Sequence, residues 1–579
     1  MLEIYFNSRD ITYKSIFGAV QSDSVIEFRL DVRCDAPVLA YIVINKKKHQ
    51  MHLDKLIKDL SVFTISCKAL PKPGLMFYHF VISTPYHTVY YGNQPDTYQG
   101  EGFKYDKNPL DYQITVYDMY NTPEWIKGRI MYQIFPDRFY METLNRSPYW
   151  ERIFHSDWYD EPYIEQDFPS KTMECSDFFG GNLQGILKKL DYIKSLGIGV
   201  IYLNPIYLAY SNHRYDAADY MSIDDTLGSK EDLKVLCEEA QKRDIYIILD
   251  MVFSHTGSDS IYFDKYKRFN RGGAYNNPES EYKNWYSFRQ DGTYEAWWGI
   301  ESLPNTTETD PGFMSYVFKS IKQWVSLGVK GFRLDVADEL PDEFIKELRK
   351  ALKSYSSEAI LIGEVWEDAS NKHSYGTRRE YLYGYELDSI MNYPYRSAII
   401  DYTLSNISAE CFVRRIEIIR ENYPLQSYDC LMNMLSTHDV SRILSVLGGK
   451  SDFENLPRTQ QKEIFLNKKE YDIAFKRLSF CLELLMCLPG VPSIYYADEA
   501  GSQGLKDPFN RRTYPWGRED ADIFNLYSNV LSKRQSDEKL KYGSFAIKDR
   551  DDSVIITRQY QNESSEYIFD NKDLSYSRK

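Results

Sequence analysis

Between residue 119 and about residue 520, short apolar runs alternate with segments of helical period. The runs lie at 129–135, 199–204, 245–250, 331–336, 360–364, 387–392, 430–435 and 493–497. Residues 183–196 place Leu183, Ile186, Leu187, Leu190 and Ile193 near a 3.6-residue period, which predicts one helix. Further helices are predicted at 229–243, 314–327 and 342–353. Eight strands alternating with helices argue for an α/β chain folded as a closed parallel (β/α)8 TIM barrel.

The stretch GVKGFRLDVADEL, residues 328–340, carries the first chemical signal. Gly328 and Gly331 interrupt the preceding helix, and Phe332, Leu334 and Val336 alternate with Arg333 and Asp335. Arg333 and Asp335 are two apart, so both point to one face. A guanidinium beside Asp335 is expected to keep it ionised, as a covalent nucleophile requires. A structural ion pair reads the same way, and the stretch alone leaves both readings open.

The other strand ends tip the balance. Asn212, His213, Tyr215 and Asp216 follow the second strand. Asp250 and His255 close the third, in DMVFSH. Glu364 closes the fifth, in LIGEVW, and His438 and Asp439 follow the seventh, in LSTHD. The C-terminal face of a barrel is where such groups converge. Carboxyls that repel one another divide into one ionised and one protonated, which is a nucleophile and a general acid for a glycosidic bond. No HxH or HExxH spacing is present, and Arg333 would repel a cation at Asp335, so no metal centre is predicted.

The flanks differ from the barrel. Residues 1–118 read as an N-terminal β-sandwich, with Ile26, Phe28, Leu30 and Val32 on one strand face and further strands at 76–82 and 87–91. Such a module is carbohydrate-binding-like in its exposed aromatics. Residues 119–520 form the barrel, with an aromatic- and glycine-rich excursion at about 256–303 read as an inserted subdomain. Residues 521–579 read as a short C-terminal β domain. A net charge of −14 argues against nucleic acid or an anionic membrane as partner. The apolar window 478–497 is broken by Glu483, Pro489 and Pro492, so no span is expected. The eight cysteines show no CxxC pair and read as buried thiols. With no basic and apolar leader at the start, the expectation is a cytoplasmic protein.

The motifs MYQIFPDRF, FFGGNLQGI, IYLNPIY, NHRYDAADY, DMVFSH, GFRLDVADE, GEVW, STHD, GVPSIYYADEAG and DPFNRR together resemble the α-amylase family of glycoside hydrolases, over about residues 119–520. The N-terminal sandwich and the pair Trp297–Trp298 resemble its neopullulanase, cyclomaltodextrinase and amylopullulanase branch. The resemblance implies a retaining hydrolase of α-1,4 and, as an open point, α-1,6 glucosidic bonds in an α-glucan oligosaccharide. It implies Asp335 as nucleophile, Glu364 as acid/base and Asp439 as the third carboxylate. Arg333, His255 and His438 would bind the reacting glucose, Tyr215 would stack on it, and His213 belongs to the same mouth. Asp507 and Arg511 would hold the next sugar, and Trp298 and Trp366 the leaving-group side. A glucanotransferase on the same scaffold and a non-catalytic carbohydrate-binding relative are the alternatives.

Three departures from the family pattern matter. Ser254 stands where many members have a calcium-binding Asn, and Asn182 where an Asp is common. No cofactor is therefore expected to be required, and both familiar calcium sites are altered. Asp338–Glu339 replaces a Lys-His pair that would hold an extended chain. The sandwich and the excursion are expected to wall the mouth and favour short dextrins. The resemblance also raises a homodimer formed through the N-terminal domain.

Overall fold

The computed structural model describes residues 2–270 and 272–579. The barrel strands are β1 (Met131–Ile134), β2 (Val200–Leu203), β3 (Tyr246–Met251), β4 (Gly331–Leu334), β5 (Ile360–Gly363), β6 (Ser389–Ile390), β7 (Met432–Met434) and β8 (Val491–Tyr495). Among the described residues they make one parallel sheet in the order β6-β5-β4-β3-β2-β1-β8-β7. A parallel bridge between Met391 and Met432 joins its two edges and closes the barrel. The closed sheet has no open edge, and its strands are short and almost entirely buried on both faces, with a few polar side chains such as Gln133, Asp250 and Arg333 among the apolar ones.

The helices follow their caps. Ser229 and Asp232 form a capping box on Lys230–Lys242, and Asp310 caps Pro311–Ser326 through its carboxylate. The helix predicted over 183–196 is two, Leu183–Lys188 and Leu190–Ser195, broken at Lys189. Sequence period carries across a break that keeps both apolar faces on the barrel, and so does not show it.

The N-terminal module is two sheets packed face to face. Val25–Cys34 alternates buried and open positions, and Ile26, Phe28, Leu30 and Val32 are all within its core, as predicted. Tyr78 and Phe80, from Gly74–Ser83, face them. The sandwich joins the barrel through a polar seam: Gln99 donates to Asn422 at 2.9 Å and Gln113 to Ser370 at 2.9 Å.

At the other end the expectation of β structure from residue 521 is corrected. Ala521–Ser536 and Glu538–Tyr542 are helices, capped by Asp520 and Asp537, and an antiparallel four-stranded sheet begins at Ser544. The first of these helices buries Ile523, Tyr527, Val530 and Leu531, so it belongs to the barrel's outer layer. All eight cysteines are free; Cys237, Cys430, Cys481 and Cys487 are buried, whereas Cys34, Cys67, Cys175 and Cys411 are partly open. Among the described residues no helix is long and apolar enough to cross a membrane.

Candidate active site

The strand ends meet around Arg333, which has no exposed side-chain surface. It sits in β4, and its Nη1 donates to Asp250 at 2.8 Å and to Asp335 at 2.7 Å. Its Nη2 lies 2.9 Å from Glu364 Oε2, an ion-pair contact rather than an aligned hydrogen bond. One guanidinium thus bridges carboxylates from the ends of β3, β4 and β5. Each carboxylate alone would be costly to bury; a shared cation offsets part of that cost.

The chain turns sharply after Asp335. Val336 has φ 36° and ψ 61°, a left-handed conformation that is strained for a β-branched residue. The turn aims the Val336 N–H at Glu364 Oε2, 2.8 Å away. Trp366 Nε1 donates to the other oxygen of Glu364 at 3.1 Å, and the Trp366 ring stacks on Tyr393 at 3.9 Å.

Burial pushes the Asp335 carboxyl up, Arg333 opposes the shift, and Glu364, Asp250 and Asp439 add to it; the net direction is upward. The expectation that Arg333 keeps Asp335 ionised by itself is corrected here, because the guanidinium is divided among three acids. Asp439 is pushed up to about 7 by burial and by Glu364. Repulsion between the buried Asp335 and Asp439 carboxyls favours keeping a proton on one of them. That proton is what general acid catalysis draws on.

The imidazoles are the opposite case. Burial holds His213 and His255 down to about 3 and His438 well below its ordinary value. All three are neutral and able to hydrogen-bond hydroxyls. His438 Nδ1 accepts from Gln133 Nε2 at 2.9 Å, and Nε2 meets the Tyr215 hydroxyl and lies 3.3 Å from Asp439. The rings of Tyr215 and His438 are parallel, 5.2 Å apart. His255 Nδ1 is bonded to Ser254, and its buried Nε2 has no partner among the described residues. His213 is held through Ser211 at 3.0 Å.

These groups line a cavity of about 580 Å³, within the range of small-ligand sites. Asp507 and Arg511 form one end, paired at 3.0 Å. Burial pushes Asp507 up, and the guanidinia of Arg511 and Arg458 outweigh it and hold it below its ordinary value. Trp298 and Trp366 form the other end. Trp298 is 74% exposed, stacks on Trp297 at 4.5 Å, and donates to Glu339 at 3.2 Å. Eleven of the twelve residues singled out for the site line this cavity; the exception is Arg333, expected to bind the reacting glucose, which is fully buried behind Asp335 and Glu364 with its guanidinium turned to carboxylates.

The walls differ from expectation. The lining comes from barrel loops and the excursion, and the N-terminal sandwich contributes none of it. The sandwich sits instead beside residues 368–371 and the helix Ala409–Asn422, where the polar seam holds it. Residues missed by sequence reasoning are Gln133, Cys175 and the structural role of Asp250. A single polar residue inside the apolar run MYQI was the available signal for Gln133. Nothing local marked Cys175, which reaches the cavity from the loop after β1.

The family model for the alpha amylase catalytic domain matches residues 133–566. The chain is 36% identical over 598 residues to an amylopullulanase from Thermoanaerobacter thermohydrosulfuricus, covering 93% of this chain and 39% of that protein. It is 30% identical to a cyclomaltodextrinase from Bacillus sp over 444 residues, 75% of this chain and 70% of that one. A solved cyclic alpha-maltosyl-(1→6)-maltose hydrolase from Arthrobacter globiformis aligns with a TM-score of 0.65 at 27% identity, over 77% of this chain and 92% of that chain. The chain spans less than half the length of the amylopullulanases it matches.

Proposed function

The chain belongs to the α-amylase catalytic-domain family, and on that premise we propose that it is a retaining hydrolase of α-1,4 glucosidic bonds in α-glucan oligosaccharides, with α-1,6 bonds as second substrates. The observation that carries the reading is the Arg333 guanidinium shared by Asp335 and Glu364. Carboxyls bridged by one guanidinium are close enough for double displacement, which uses a separation of about 5–5.5 Å.

Asp335 attacks the anomeric carbon while Glu364 protonates the departing oxygen, giving a covalent glycosyl-enzyme. Glu364, now a carboxylate, takes a proton from water, which attacks the same carbon and frees Asp335. Asp439 and neutral His255 and His438 hold the reacting sugar, with Tyr215 stacked beneath it and His213 at its rim, while buried Arg333 positions Asp335 and Glu364 from behind. Asp507 and Arg511 hold the next sugar on the glycone side, and Trp298 and Trp366 receive the leaving group. The test is the anomer of the first product, expected to be α, together with Asp335→Asn, expected to lose at least about 10³-fold in kcat with the fold intact. A β product, or near-normal activity in the variant, overturns the assignment.

Calcium is not required on this reading. The Asn182 oxygen accepts from Gly185 N at 2.8 Å as a helix cap, and Ser254 is bonded to His255. Neither is free to ligate a hard cation, which needs several oxygens. Short dextrins are the preferred substrates, because the excursion and the Glu339–Trp298 contact narrow the mouth. Eight unpaired cysteines support a reducing, cytoplasmic setting. A homodimer through the sandwich is supported by its edge strand His52–Ile57, with Leu53, Leu56 and Ile57 exposed. Sedimentation of a Leu56→Lys variant as a monomer, against a wild-type dimer, tests it.

A further inference from the structure

The sandwich strand Tyr112–Tyr117 is buried along its whole length. Tyr112, Ile114 and Val116 belong to the sandwich core, as a period of two requires. Gln113, Thr115 and Tyr117 therefore face away from that core, yet they are only 7%, 0% and 7% exposed. A polar side chain on so covered a face needs partners, and Gln113 finds them in the loop that follows the acid/base.

That loop, residues 366–371, belongs to no helix or strand. Gln113 Nε2 donates to Ser370 Oγ at 2.9 Å, and Asn371 Nδ2 donates to Gln113 Oε1 at 2.8 Å. The Gln113 backbone N–H donates to Gln99 Oε1 at 2.6 Å, and Gln99 Nε2 donates to Asn422 Oδ1 at 2.9 Å. Asn422 Nδ2 in turn donates to Asp368 Oδ2 at 2.8 Å, and Asp368 Oδ1 accepts from Ser370 N at 2.9 Å. The Tyr423 hydroxyl accepts from Ala369 N at 2.8 Å. The circuit starts in the sandwich and grips the loop from two sides. Trp366 opens the loop, with its ring on Tyr393 and its Nε1 donating to Glu364 at 3.1 Å.

We propose that the sandwich is a working part of the catalytic centre: Gln113 and Gln99 are positioning residues that hold residues 366–371 and, through Trp366, set Glu364 for proton transfer to the departing oxygen. This rests on the functional reading above, which makes Glu364 the acid/base. A loop with no ladder of its own takes its shape from these side-chain bonds, so removing them loosens the backbone that carries Trp366. A reacting group misplaced by about 1 Å can cost roughly 100-fold in rate. The sandwich stays docked without this contact, because Arg9 donates to Glu421 at 3.0 Å and Arg414 pairs with Asp96 at 2.6 Å elsewhere along the seam.

The test compares phenyl and para-nitrophenyl α-maltosides. Both put one aromatic ring on the leaving-group side, but para-nitrophenolate departs with little protonation, whereas phenolate needs the acid. Gln113→Ala is expected to lose about tenfold in kcat/KM on the phenyl compound and less than about threefold on the para-nitrophenyl compound. Ser370→Ala removes the same contact from the barrel side, should repeat the pattern, and decides the question if thermal melts show Gln113→Ala unfolded. Trp366→Phe keeps the ring on Tyr393 and removes its N–H. Adding Gln113→Ala to it should cost nothing more, since both act through one bond. Equal losses on the two maltosides, or full activity on both, in the folded variants overturn the positioning role alone. A wild-type chain inactive on both maltosides and on maltotriose overturns the functional reading, and this inference with it.

Discussion

Replacing Gln133 by Glu exchanges an amide NH2, with its two donors, for an acceptor oxygen at almost constant volume. Gln133 is fully buried, and its Nε2 reaches His438 Nδ1 at 2.9 Å and Asn204 Oδ1 at 3.1 Å. Because the amide donates, Nδ1 must accept, so the hydrogen of the neutral ring sits on Nε2. There it faces the Tyr215 hydroxyl and the Asp439 carboxyl, 3.3 Å away. A carboxylate at 133 demands a hydrogen on Nδ1. The Nε2 lone pair would then face Asp439, and Asn204 Oδ1 would face another oxygen. Loss of a buried hydrogen bond to a charged group costs about 1.5–3 kcal/mol, which is roughly 10- to 150-fold in kcat/KM. Steady-state rates on maltotriose give the loss, and thermal melts show whether the fold survives. Gln133→Met removes both donors without adding an acceptor, and should lose less activity. Activity of Gln133→Glu within about twofold of wild type, or equal loss in the two variants, would refute a tautomer held by Gln133.

Three further outcomes are expected. Burial pushes Glu308 up to about 8, with Thr306 at 3.3 Å as its side-chain partner. Its raised folded value means that wild-type stability is lost as pH climbs from the ordinary glutamate value of 4.5 through about 8. Glu308→Gln should therefore match wild type in acid and be the more stable protein in alkaline urea titrations; equal midpoints at high pH would contradict the assignment. Melting curves with and without chelator should superimpose, and a lower midpoint after chelation would reveal ligands elsewhere. On a per-bond basis kcat/KM should be greater on maltohexaose or β-cyclodextrin than on soluble starch, and the opposite order would mean an open groove.

Most of the barrel is legible from one-dimensional pattern. Strands buried on both faces are continuous apolar runs, and helices on the outside carry a 3.6 period, so β1 to β8 could be placed within a few residues. The site is legible for a related reason. A barrel puts every strand's C-terminal end on one face, so Arg333, Asp335, Glu364 and Asp439 had to meet once the strands were counted. Local pattern could not show what depends on contacts between distant loops. The break at Lys189 and the helices at 521–542 are invisible to it, since packing and capping decide them. The sharing of Arg333 among Asp250, Asp335 and Glu364 raises the Asp335 carboxyl where Arg333 alone would lower it, because desolvation and repulsion are sums over three-dimensional neighbours. The sandwich's place beside residues 368–371, away from the mouth, and the reach of Cys175 into the cavity are tertiary facts of the same kind. Neither has a period, and each follows from which surfaces 579 residues bring together.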